Sequence, residues 1–262
     1  MKIVKKILSS ALIVLMLILL IITGLNYNEG KEKIKNLNQD IINLNSKKEE
    51  LISQNKQLQD ENKVLKEKPE VINKAIKEID GLILIKDIDN TIVQDLRYAT
   101  SNNFTKTKIY SADVCVLRFG SAIKLKNANS YLKKLGFRIK VYDAYRPKSA
   151  QVKLWSLVPD ERYVANPNKG GSDHSKGCAV DVTLVDKNNK ELKMPTGFDD
   201  FTGKAGRASK GWTLEEIENV NLLTAAMKKS GFIPINSEWW HFYDSDRNSY
   251  KALSVPLEDF LK

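Results

Sequence analysis

The sequence is 262 residues long, with 42 Lys+Arg against 32 Asp+Glu, 42% hydrophobic residues, two His and two Cys. This length allows one folded domain plus accessory segments, or two small domains. The ordinary apolar fraction excludes wholesale disorder, and the few cysteines exclude a disulfide-dense scaffold. The net charge of +10 is spread out: Lys2, Lys5 and Lys6 give the first 28 residues +3, and residues 29–68 carry nine Lys against eight Asp+Glu. No basic block is interleaved with aromatics, so nucleic acid is not an expected partner. Diffuse basicity fits work beside an anionic surface such as a membrane or cell wall.

After Lys6 the sequence carries no charge until residue 29, and residues 7–22 hold only Ser9 and Ser10 as polar residues. Extended to Leu25, this stretch makes a helix of about 28 Å, close to the hydrocarbon core of a bilayer. Lysines lie only on its N-terminal side, so the expectation is a single-pass cell-membrane anchor with a cytoplasmic N-terminus and an extracytoplasmic remainder. A cleaved signal peptide is the competing reading, though residues 22–26 make a poor cleavage site. No Cys follows that would mark a lipoprotein.

Leu37, Leu44, Leu51, Leu58 and Leu65 then recur every seven residues, with Ile34, Ile41, Lys48, Asn55 and Asn62 at the matching a positions. No Pro or Gly interrupts residues 31–68, and Pro69 closes the run. This heptad predicts a coiled-coil stalk that pairs two copies in parallel, with polar a residues fixing the register. A single amphipathic helix packed on the following domain is the alternative.

From residue 70 the pattern becomes globular. Residues 82–85, 137–142, 179–185 and 239–243 read as strands, and residues 121–135 and 214–229 as helices stopped by Gly136 and Gly231. Helices and short strands without regular βαβ alternation predict an α+β fold, a small and mostly antiparallel sheet flanked by helices. The expected organisation is therefore an anchor over residues 1–28, a stalk over 29–69 and a folded domain over 70–262.

Histidine is the most informative count. His174 lies in Ser172-Asp173-His174-Ser175-Lys176-Gly177-Cys178-Ala179-Val180-Asp181, and His241 in Glu238-Trp239-Trp240-His241-Phe242. A catalytic zinc takes three N/O ligands and keeps one position open, and two His with one carboxylate form such a set. His174 on a loop, Asp181 on the next strand and His241 on another strand are the candidates, with Gly177 allowing the close turn. Glu238 reaches the same place only if the backbone bends around Trp239-Trp240, because i and i+3 of a strand face opposite ways. On spacing alone, both histidines also fit ordinary structural roles.

The motif Ser172-x-His174-x-x-Gly177-x-Ala179-x-Asp181, together with Glu238-Trp239-Trp240-His241, resembles the zinc D-alanyl-D-alanine dipeptidases of the VanX type. That family belongs to a larger group with the D,D-carboxypeptidases. Leu96-Arg97-Tyr98-Ala99-Thr100, Asp143-Ala144-Tyr145-Arg146-Pro147 and Phe198-Asp199 also match, in order, over roughly residues 86–250. The resemblance implies one zinc on His174, Asp181 and His241, Glu238 as general base and Arg146 as partner of the developing oxyanion. It further implies Asp199 at the substrate ammonium and Ser172 at the substrate, with D-Ala-D-Ala or a peptidoglycan stem peptide as substrate. Tyr98 either lines the pocket or belongs to the core, and Asp200 competes with Asp199. A D,D- or L,D-carboxypeptidase and a non-catalytic envelope scaffold are the other readings. The anchor, the stalk and residues 198–211 depart from the family pattern.

Overall fold

The structure is a computed structural model that describes residue 16, residues 29–52 and residues 76–262. Two compact units make up the protein, Met1–Lys74 and Ala75–Lys262. Within the first, residues 29–52 form helix α1. Its heptad residues Ile34, Leu37, Ile41, Leu44 and Leu51 are all at least half exposed. The later positions Asn55, Leu58, Asn62 and Leu65 lie outside the described residues.

The expected membrane anchor requires correction. Among the described residues, no helix is long and apolar enough to cross a membrane. Helix α1 itself is excluded by Lys31, Glu32, Lys33, Lys35, Asp40, Lys47, Lys48, Glu49 and Glu50, whose charges would lie in the hydrocarbon. Residues 7–25, on which the anchor was placed, lie outside the described residues except Met16. The single-pass localisation and the membrane partner drawn from that anchor are corrected with it.

The second unit holds two sheets. Glu78–Ile79 (β1), Leu82–Leu84 (β2) and Val116–Arg118 (β4) form a three-stranded antiparallel sheet in the order β1-β2-β4. Val93–Gln94 (β3), Arg138–Asp143 (β5), Ala179–Val185 (β6), Phe232–Pro234 (β7) and His241–Asp244 (β8) form a five-stranded sheet in the order β3-β5-β6-β8-β7. Only β3 and β5 run parallel. The expected single, mostly antiparallel sheet is thus corrected to two sheets, one of them mixed. The two-residue β3 is too short for alternation to announce it, and a parallel neighbour needs the long connection supplied between β3 and β5.

Helices α2 (Ile85–Ile88), α3 (Phe119–Lys133), α4 (Lys148–Leu157) and α5 (Leu214–Lys229) complete the unit. Thr213 and Glu216 start α5 with a reciprocal capping box, the Glu216 amide donating to the Thr213 hydroxyl and the Thr213 amide to the Glu216 carboxylate. Gly136, at φ +86°, turns the backbone out of α3 into β5. α3 packs on β5 and α5 on β6. Strand β6 is buried along its whole length, as expected of a central strand covered on both faces.

Register places the site. Asp143 of β5 stands opposite Asp181 of β6, and Asp181 opposite His241 of β8. A β-bulge lies between Val141 and Asp143. Without it, Tyr142 would face Asp181 and Asp143 would point with Val141 towards the other face. The extra residue turns Asp143 into the row that carries Asp181 and His241.

Candidate active site

His174 lies on a helical turn, Asp173–Lys176, that leads into β6. The Ser172 hydroxyl caps this turn by accepting from the His174 amide at 3.2 Å. Gly177 ends it at φ +73°, and a Cβ there would come within 2.6 Å of the Leu82 side chain, so a larger residue meets both backbone strain and a clash. The turn aims the imidazole inwards, where Nδ1 lies 2.7 Å from the Ala144 carbonyl. With a proton on Nδ1 donating to that carbonyl, Nε2 keeps its lone pair for the site.

Around Nε2 the polar atoms converge. It lies 3.3 Å from an Asp181 carboxylate oxygen and 3.3 Å from His241 Nδ1. His241 Nδ1 lies 2.9 Å from the other Asp181 oxygen. Ligand atoms of His174, Asp181 and His241 all lie within 4.8 Å of one another. Two imidazole nitrogens and one carboxylate suit zinc, and the backing carbonyl holds one ring in a ligating orientation. The donor set fits the metal. Burial opposes charge on His174, but the carboxylates of Asp181 and Asp143 override it and push its pKa up to about 9, so a metal bound here takes the place of a proton on Nε2. Burial likewise opposes charge on Asp181, yet the two histidines hold its carboxyl well below the usual range.

The expected bend is present: residues 236–240 leave the ladder between β7 and β8, and Glu238 reaches 3.9 Å from His241 Nδ1. Burial, with help from the Asp181 charge, raises the Glu238 pKa. Arg146 is buried behind the cluster, linked by its own amide to the His174 carbonyl at 3.1 Å. Its guanidinium donates through Nε and Nη2 to Asp143 and through Nη1 to Gln151 at 3.0 Å. Tyr110 donates to the remaining Asp143 oxygen. These contacts use three of the five guanidinium N–H groups.

Tyr98 and Asp199 meet on the far side of Arg146. The Arg146 guanidinium carbon stands 4.8 Å above the Tyr98 ring, and the Tyr98 hydroxyl donates to Asp199 at 2.9 Å. Asp199 adopts a left-handed backbone conformation, φ +57°, while Phe198 stacks on Tyr142 and packs edge-on to Trp240. Burial, reinforced by Asp181, raises the Asp199 pKa well above the ordinary carboxylate value. Asp200 points elsewhere, accepting from the Thr202 amide at 2.9 Å.

The sequence reading did not anticipate Tyr110, Gln151 or a role for Asp143. Only Asp143 left a signal, its i,i+3 spacing from Arg146. Cys115 and Cys178 are free and buried, and the Cys178 thiol points to the Asp173 carbonyl rather than into the cluster.

Residues 79–258 match the Peptidase_M15 family, described as D-ala-D-ala dipeptidase. The protein belongs to this family. It is accordingly a zinc metallopeptidase by descent. A D-alanyl-D-alanine dipeptidase of Escherichia coli is 35% identical over 167 residues, covering 64% of this protein and 86% of the relative. Dipeptidases of the same description from Enterococcus faecalis and Enterococcus faecium are 28% and 29% identical. They cover 69% and 65% of this protein, and 95% and 96% of their own lengths.

Proposed function

We propose that the protein hydrolyses D-Ala-D-Ala with one zinc held by His174, Asp181 and His241. The observation that carries this reading is the convergence of those three side chains beside Glu238, in a protein whose relatives bear the name of that activity. Zinc, when bound, supplies a Lewis acid for the peptide carbonyl and for a water.

The protein's own residues do the rest. Glu238 takes the proton of the attacking water and returns it to the leaving amine, a task suited by a carboxyl whose pKa lies above its ordinary value. Arg146, fixed by Asp143 and Gln151, turns its two remaining N–H groups to the negative charge that grows on the carbonyl oxygen. Asp199 binds the free ammonium of the dipeptide, which favours the charged carboxylate that burial disfavours. Tyr98 orients Asp199 through its hydroxyl and holds Arg146 over its ring. Ser172 acts by setting the turn that aims His174, since its hydroxyl already accepts the His174 amide.

In this reading residues 70–262 are the peptidase domain, and helix α1 pairs with a second copy through Ile34, Leu37, Ile41, Leu44 and Leu51. The exposure of that apolar row supports pairing. Cysteine placed at Leu44 should crosslink two copies readily, and at Ser46 poorly; equal crosslinking removes the pairing. Hydrolysis is tested by incubating the intact protein with D-Ala-D-Ala, once with zinc and once with a chelator. Release of D-Ala only with metal is expected, and metal-independent or absent release overturns the proposal.

A further inference from the structure

The bend that carries Glu238 takes its backbone groups off the sheet, and each freed group costs stability unless it finds a partner. At its edges the bend still touches the strands, the Ile235 amide donating to the His241 carbonyl at 3.4 Å and the Val182 amide of β6 to the Trp240 carbonyl at 3.1 Å. The partners between come from one short segment, Ala205 to Arg207. The Trp239 amide donates to the Ala205 carbonyl at 3.0 Å, and the Arg207 amide donates to the Asn236 carbonyl at 2.8 Å. The Arg207 guanidinium takes two further carbonyls, Ile235 through Nε at 2.8 Å and Trp239 through Nη2 at 2.6 Å. Its Nη1 donates to the Thr224 hydroxyl of α5 at 2.7 Å, and its central carbon stacks 4.8 Å from the Phe242 ring. Among the described residues no carboxylate pairs with it, and burial alone draws its pKa down to about 10. An uncompensated guanidinium whose hydrogen bonds run to both ends of one loop is built for geometry rather than for charge pairing. Its planar fork reaches three acceptors in fixed directions, which an ammonium cannot reproduce.

We infer that Arg207 is a positioning residue for Glu238, clamping residues 235–239 so that the carboxylate is presented to the ligand cluster. His241 needs the clamp less, because β8 is already held by ladders to β6 and β7. This inference rests on the proposed role of Glu238 as base.

Arg207→Lys and Arg207→Gln, made in the intact protein, test it by kinetics and by hydrogen exchange. A shift of the base by about 1 Å costs on the order of 10²-fold. The expected result is that loss in kcat for D-Ala-D-Ala, with KM and bound zinc near wild type and Lys milder than Gln. Exchange should quicken in residues 235–240 and stay unchanged in β6 apart from the Val182 amide, which donates to the Trp240 carbonyl. In a Glu238→Gln background, Arg207→Lys should add almost nothing, since both changes disable one function. An unchanged kcat, a multiplicative double variant or equal quickening in β6 each overturns the inference. Full turnover by Glu238→Gln alone overturns the base assignment instead, and exchange then judges the clamp by itself.

Discussion

His174, Asp181 and His241 stand on or beside the central strands of the larger sheet, whereas Ser172 and Asp199 stand on connections between elements and Tyr98 on the short helical turn Arg97–Ala99. Within the first group Asp181 and His241 are fixed by ladder register in a row of opposed residues, and His174 by the turn that leads into β6 and by the Ala144 carbonyl behind its ring. The second lies outside the ladders and is tied in by side-chain contacts, such as Tyr98 to Asp199 and Ser172 to the His174 amide, and for Tyr98 also by the Ile109 and Tyr110 amides that donate to its carbonyl. The difference separates two tasks. On the proposed roles, a metal set must hold three atoms together before any substrate arrives, and two of its three members are built where the backbone is most constrained. Recognition of a small charged group needs one well-placed partner in a partly closed space, which a loop can supply.

The sharpest way to break this contrast is to remove a strand-borne ligand. Asp181→Ala and His241→Ala should each lose zinc and essentially all turnover, read by metal analysis and product release. Full zinc in either variant would remove the assignment. Glu238→Gln comes next: zinc stays, and kcat falls by roughly 10²–10⁴, because the amide keeps the shape but accepts no proton. Near-normal turnover would leave Glu238 a structural residue.

Substitution on the loop side should act on selectivity instead. Asp199→Ala should keep zinc and lose most of the preference for a free dipeptide over its N-acetylated form. A neutral amide in place of the ammonium leaves a desolvated carboxylate unpaired, at a cost of about 2–5 kcal/mol, or roughly 30- to 4,000-fold. A retained preference in Asp199→Ala would move the ammonium site elsewhere.

The smallest effect is expected remote from both groups. Burial opposes the Asp89 charge, but the Thr91 hydroxyl and amide and the Asn129 carboxamide donate to it and hold its pKa below the ordinary value. A depressed carboxyl contributes stability above its unfolded pKa and loses it as pH falls through the folded one. Asp89→Asn should therefore melt slightly earlier at pH 7, with the gap closing below about pH 4. A gap that persists in acid would assign the loss to the changed hydrogen bonds, and activity at neutral pH should be unaffected in either case.

How far the sequence could be read follows the same division. Strand β6 and helix α5 match their expected bounds, because β6 is a continuous apolar run broken only by Asp181 and Thr183, and α5 begins with a capping pair. The two histidines were legible because no others compete with them. The bulge before Asp143 was not, since it depends on how β5 meets β6 rather than on local pattern. Gln151 and Arg207 were invisible for a related reason. Each acts on residues distant in sequence or folded back by a loop, and neither periodicity nor motif spacing encodes such a meeting. The heptad of α1 was legible as a helix, while the charge-free segment before it invited an anchor that no described helix bears out.

The central claim is a zinc-dependent dipeptidase that reads a free ammonium. It is tested most directly by kcat/KM of the zinc-loaded, intact protein for D-Ala-D-Ala against N-acetyl-D-Ala-D-Ala. The account predicts at least about a 30-fold preference for the free dipeptide, with turnover of both substrates abolished by chelation. Equal use of the two substrates, or turnover that survives removal of the metal, would contradict it.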